Sequence, residues 1–154
     1  FFFKQKTAYE IPKRDWSSDV CSSDLSFDIG ATGLAAQAMR LNVISSNIAN
    51  VESVSGPDGR AYRARQVVFS AIPNPNSAGA GVAVTEIRES REPFRREYRP
   101  GHPKADAAGY VDMPNVNPVE EMVNMISAQR SYQMNIEAMN VSRQLMLKTL
   151  DLGK

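Results

Sequence analysis

The chain has 154 residues, 18 Lys+Arg against 17 Asp+Glu, one histidine, one cysteine and a formal net charge of +1. That length holds one domain. So neutral a balance gives no electrostatic case for nucleic acid or an anionic membrane surface, and no apolar run approaches the ~20 residues needed to span a bilayer.

Phe1 to Leu25 reads FFFKQKTAYEIPKRDWSSDVCSSDL, with no apolar periodicity, secretory cleavage pattern or helix cap. The wording resembles one reading frame of a common sequencing adapter. Lys4 to Ile11 and Asp15 to Leu25 match fixed adapter text, while Pro12, Lys13 and Arg14 fall where a variable index sits. Residues 1–25 are therefore set apart as a sequencing-adapter artefact, not native chain. With them go Trp16, Cys21, four basic residues (Lys4, Lys6, Lys13, Arg14) and four acidic ones (Glu10, Asp15, Asp19, Asp24), so the charge balance is unchanged. A chain without cysteine has no disulfide and no thiolate metal site, and its redox compartment is not readable.

The first native element is an N-terminal helix within residues 26–52, periodic from Ile29 to Val51. Leu34, Ala38, Leu41, Ile44, Ile48 and Val51 share an arc of roughly 140° on a helical wheel. Gln37, Arg40, Asn42 and Asn47 lie opposite. The run ends at Asn50, and Ser53 to Gly59 (SVSGPDG) is dense in turn formers, with Pro57-Asp58-Gly59 a turn in its own right.

Residues 53–117 form a central segment of short strands and loops. Tyr62 to Phe69 is rich in Val, Tyr and Phe, and Val82, Val84 and Ile87 partly alternate, which predicts two short strands. Pro73 to Gly81 (PNPNSAGAG) is a loop by composition. Pro93, Pro100, Pro103 and Pro114 exclude long helices from the later half, leaving small β pieces and turns.

Residues 118–154 carry the strongest local signal. Asn117-Pro118-Val119-Glu120 places a capping side chain, a proline at the first helical position and an acid three residues on. No glycine or proline follows until Gly153. A helix from Val119 to Leu150 is about 48 Å long at ~1.5 Å per residue. Met122, Met125, Ile126, Tyr132, Ile136, Met139, Met146, Leu147 and Leu150 are predicted on one face.

So long an amphipathic helix needs an equally long apolar surface. The fold expected is mainly α with a small β and irregular middle, its two long terminal helices forming an antiparallel coiled-coil-like pair. Two helices leave each other's flanks open, so partners are implied. The residues expected to carry packing are Leu34, Leu41, Ile44, Ile48 and Val51 on the first helix. On the last they are Met122, Ile126, Tyr132, Ile136, Met139, Met146, Leu147 and Leu150. Gln129, Gln133, Asn140 and Arg143 either select register within the seam or sit at the edge of a broad stripe. The methionines, including Met134 outside the main arc, read as flexible packing rather than as copper ligands.

No constellation for catalysis appears. His102 sits in a Pro-Gly-His-Pro turn with no second histidine to complete a metal site. Asp106 and Asp112 read as a turn acceptor and a solvated charge. The arginines from Arg88 to Arg99 alternate with glutamates, the pattern of a solvated face or of ionic contacts between subunits. No phosphate loop, zinc pattern or triad motif is present, so neither cofactor nor metal is expected.

Gln37 to Asn50, QAMRLNVISSNIAN, resembles the N-terminal motif shared by bacterial flagellar rod and hook proteins. Those proteins usually continue with a threonine soon after the Ala-Asn step. Here Val51 to Phe69 departs from that wording and looks like the proximal-rod subgroup. Tyr98 to Tyr132 and Leu145 to Lys154 (LMLKTLDLGK) resemble the same subgroup, so the likeness covers residues 26–154, with Ile72 to Phe94 its least diagnostic stretch. The resemblance implies a non-enzymatic structural subunit of the flagellar basal body. Such a subunit is exported without a cleaved signal peptide and polymerises in the periplasm into the rod that joins basal body to hook. Its implied partners are copies of itself, other rod proteins and the flagellar type III export apparatus, with no nucleic acid and no small-molecule substrate. The alternative is an amphipathic adaptor or membrane-surface module, although the polar faces lack the Lys/Arg enrichment of that class. Co-sedimentation with liposomes separates the two, since a rod subunit stays in the supernatant.

Overall fold

The computed structural model describes residues 15–56, 59–73 and 79–152, residues 15–24 by their backbone alone. The expected turn at Pro57 and Asp58, the loop interior 74–78, residues 1–14 of the leader, and Gly153 with Lys154 lie outside the described residues. The elements are α1 (Asp15–Ala49), β1 (Arg65–Pro73), β2 (Ala80–Glu89), β3 (Arg95–Tyr98), β4 (Tyr110–Met113) and α2 (Pro118–Leu152). A mainly helical chain with a small β middle is therefore what the sequence builds.

Both helices have 35 residues. α1 starts well before the expected Ile29, because no proline or glycine between Asp15 and Ile29 halts propagation. It closes at Asn50, whose backbone N–H and Nδ2 both donate to the Ser46 carbonyl, at 3.1 and 2.9 Å. α2 opens as its sequence dictates: the Val119 N–H donates to Asn117 Oδ1 at 3.1 Å and the Glu121 N–H to the Asn117 carbonyl at 3.0 Å.

The helices pack antiparallel. A Cβ placed on Gly30 would lie 2.6 Å from Met139 Cγ, and one on Gly33 would lie 3.0 Å from Asn135 Nδ2. At the other end Glu121 faces Asn47. Two glycines inside a helix each cost about 1 kcal/mol relative to alanine; here they let the backbones approach.

β1 and β2 form an antiparallel hairpin from Arg65↔Glu89 to Pro73↔Ala80, with a bulge between Val68 and Phe69. It rests on α1, where the Val82 N–H donates to Thr32 Oγ1 at 3.1 Å. α1 is thus a middle layer between α2 and this hairpin. β3 and β4 form a second, four-residue hairpin from Arg95↔Met113 to Tyr98↔Tyr110. These two strands were not individually predicted: four residues carry too little alternation to stand out among turn formers. The core is thin. Among the described residues its buried side chains are Ala36, Val43, Ile44 and Asn47 on α1, Ala64, the run Val111, Met113, Pro114 and Val116, and Ala128 on α2.

Gly109 precedes β4 with φ 80°, and a Cβ there would meet the Tyr98 ring at 2.8 Å. That ring packs edge-on to Tyr110 at 5.3 Å. Gly109→Ala is expected to cost about 1–2 kcal/mol from backbone strain alone, and more from the clash. Urea unfolding followed by circular dichroism measures it.

Candidate assembly surface

The side of α2 turned to α1 is a sequence of small, polar and flexible residues. Met125, Ala128, Tyr132, Asn135, Met139, Ser142 and Met146 recur at steps of three and four and are buried or half-buried. Ala128 is fully enclosed, at 0% exposure. Gln129, Gln133, Asn140 and Arg143 are exposed, so they lie outside this seam and do not set its register.

The rest of α2 is open, and large apolar side chains stand there among polar and charged ones. At 100° per residue the exposed side chains divide into two flanks. Val119, Met122, Ile126, Ile136 and Leu147 form one; Val123, Met134, Val141, Leu145 and Leu152 form the other. Ile126 is 52% exposed and Leu145 59%. A helix apolar on several sides requires neighbours on several sides, and α1 occupies only one.

The predicted packing residues separate accordingly. On α1, Ile44 is buried and Leu34, Leu41 and Ile48 are half-buried, as is Val51 in the turn just after it. On α2, Tyr132, Met139 and Met146 sit half-buried in the seam, while Met122, Ile126, Ile136, Leu147 and Leu150 are exposed. The predicted residues share one broad arc, of which α1 covers the part holding Tyr132, Met139 and Met146 and leaves Met122, Ile126, Ile136 and Leu147 open.

A correction concerns Asn47, which the wheel placed on the polar side. It is buried at 1% exposure. Its Nδ2 donates to the Arg65 carbonyl at 2.8 Å, and its Oδ1 accepts from the Arg65 N–H and the Tyr62 hydroxyl, both at 2.9 Å. The reason is the middle position of α1: its second face meets the β1–β2 hairpin and needs a side chain that satisfies strand backbone. Asn115 does similar work. Its Oδ1 accepts from the Ala64 N–H at 2.8 Å and its Nδ2 donates to the Glu92 carbonyl at 3.0 Å. A mid-helix asparagine, a poor helix former, was the available clue.

The charged residues of the middle are solvated. Arg99 and Arg95 pair with Glu97, Arg88 with Glu86, Arg65 with Glu89, and Arg96 bridges Asp106 and Asp112 at 3.3 Å each, all well exposed. His102 Nδ1 accepts from the Lys104 N–H within its turn. Among the described residues no group of three or more His, Cys, Asp or Glu could hold a metal, and no helix is long and apolar enough to cross a membrane.

Asp106 is the turn acceptor expected of it, taking the N–H groups of Tyr110 and Ala108 at 2.9 Å each. The Tyr110 bond leads in holding its carboxyl below the ordinary value of 3.8, aided by Ala108 and Arg96. A lowered carboxylate contributes stability above its unfolded value and loses it as pH falls through the folded one. The β3–β4 turn should therefore loosen only below about pH 4; amide exchange at Ala108 and Tyr110 checks this, and Asp106→Ala should loosen it at neutral pH.

Comparison with known proteins agrees with this geometry. Residues 27–57 match the family described as flagella basal body rod protein, and residues 107–152 match the flagellar basal body rod FlgEFG protein C-terminal family. The flagellar basal-body rod protein FlgC of Salmonella typhimurium strain LT2 is 56% identical over 128 residues, which is 83% of this chain and 96% of that protein. FlgC of Escherichia coli O6:H1 is 55% identical over the same shares. FlgC of Borreliella burgdorferi is 40% identical over 142 residues, 81% of this chain and 93% of that protein. The chain belongs to the flagellar basal-body rod protein family.

Proposed function

We propose that this chain is a structural subunit of the bacterial flagellar basal-body rod, assembling through the open flanks of α2 with neighbouring subunits. It is a building block, not an enzyme; its relatives are named for the rod. The observation that carries the assembly reading is the row of exposed apolar side chains on α2, which a lone subunit leaves in water. The α1–α2 pair works as an antiparallel coiled-coil-like unit, supported by the three-four spacing of its seam. Leu34, Leu41 and Ile48 extend the contact along α1, and Val51 continues it just past the helix end. The central residues 53–117, whose first hairpin is anchored on α1, serve as a lateral contact region, a role their solvated ion pairs suit. Partners are copies of itself and other rod proteins. The route is export through the flagellar type III apparatus without a cleaved signal peptide, to a rod that crosses the periplasm. Residues 1–25 take no part; the family match begins at residue 27.

Helices that lack neighbours pay an ordering cost that assembly repays. The purified chain should therefore be less helical in dilute solution than in the rod, with its unpartnered helix ends frayed, and gain helix on mixing with other rod proteins. Strong helicity independent of concentration, with no gain from partners, would sink the proposal. Genomic DNA upstream of Ser26 tests the reading of the leader: adapter text absent from the genome supports it, and an encoded leader removes it.

A further inference from the structure

One titratable group is built into the helix pair itself. Glu121 lies in the first turns of α2, turned toward α1, with Oε2 buried and without a hydrogen-bond partner. The surrounding groups are few. From α1 come the Arg40 guanidinium and the Asn47 amide, from α2 itself the Glu120 carboxylate, and from β1 Arg65 with Gln66 across the same groove. Asn47 is partly committed elsewhere, since its Oδ1 takes two donors and one N–H of its Nδ2 serves the Arg65 carbonyl, which leaves the other N–H for Glu121. Arg65 has its own ion pair with Glu89 at 3.5 Å. A charged carboxylate here is thus partly desolvated, with one oxygen, Oε2, that no donor reaches.

We infer that Glu121 is a proton-sensitive latch of the α1–α2 seam, which holds more tightly when its carboxyl is neutral and loosens when it ionises. Deprotonation leaves a charge where one oxygen has no donor and little water, and the cost falls on the docking of α2's first turns. Burial pushes the Glu121 carboxyl above its ordinary value of 4.5; Asn47 and Arg40 oppose the rise and Glu120 adds to it. The folded state therefore binds the proton more tightly than the unfolded one. Stability is fully present below the unfolded value and is lost as pH rises through the raised folded value. This is opposite in sign to the contribution of Asp106.

The test is urea unfolding of the full chain at intervals from pH 4 to pH 8, for wild type, Glu121→Gln and Glu120→Gln. The latch predicts that the wild-type midpoint declines over the lower part of this range relative to Glu121→Gln, which lacks that decline and matches or exceeds wild type at neutral pH. Glu120→Gln should retain the decline. Carbon-detected NMR titration of the Glu121 carboxyl in the folded chain gives an independent reading, expected above the ordinary glutamate value. Parallel pH profiles for wild type and Glu121→Gln would overturn the inference, as would an unshifted Glu121 titration.

Discussion

Asn47→Ala should lower the stability of the folded subunit by about 2–4 kcal/mol, because the change strips partners from three groups at once. The Arg65 N–H and carbonyl and the Tyr62 hydroxyl all bond to this one side chain. Alanine improves helix propensity by a few tenths of a kcal/mol, which does not offset unsatisfied strand backbone beside a buried helix face. For a chain of this size the loss corresponds to a melting temperature lower by roughly 10 °C. Asn42→Ala is the matched control. Asn42 is exposed on the same helix, so its loss should register within about 0.5 kcal/mol. A small effect at Asn47, equal to that at Asn42, would mean that α1 and the β1–β2 hairpin are not joined there.

The second prediction separates assembly from folding. Met122→Gln with Ile126→Gln places two polar, helix-compatible side chains on an exposed flank of α2. Both native residues are more than half exposed, so the subunit's own stability should change by less than about 1 kcal/mol. If that flank is covered in the rod, each lost apolar side chain, already about half covered in the subunit, removes about 0.8–1.5 kcal/mol of burial. Together they should weaken association at least ~10-fold, and a strain carrying the pair should lose motility in soft agar. Ala128→Leu makes the opposite case. Ala128 is fully enclosed, so enlarging it should cost about 1–3 kcal/mol in the subunit itself. Full motility from the double variant would show that this flank faces no neighbour.

These two positions also show how far the sequence could be read. Asn117 and Pro118 announced the start of α2 because a cap and an N1 proline are local chemistry, complete within four residues. The length of α2 followed from the absence of breakers. The existence of apolar helices in need of partners was legible for the same reason. Which margin of the α2 stripe α1 would cover was not, because Met139 and Ile136 look alike on a wheel. The choice depends on Gly30 and Gly33, a hundred residues away in sequence, opening room on one side. Asn47 was misplaced because a wheel assumes one buried face, whereas α1 has two. Likewise Val111 and Met113, buried at 1% each, occupy a four-residue strand whose alternation is visible only once Arg95 to Tyr98 is seen beside it. Asn115 sits outside any regular element, where an asparagine usually signals a turn, and nothing local marks it as a tie between three segments.

In the proposed assembly both open flanks of α2 become covered, and the chain carries its own probes for this. Met122 lies on one flank and Met134 on the other, at 54% and 63% exposure, and an accessible thioether oxidises readily to the sulfoxide. Mild peroxide treatment with peptide mass spectrometry compares their oxidation rates in the free chain and in its assembly with rod proteins. We expect both methionines to oxidise quickly in the free chain and to be strongly protected in the assembly. Oxidation of Met122 and Met134 at the free rate within the assembled rod would contradict the account.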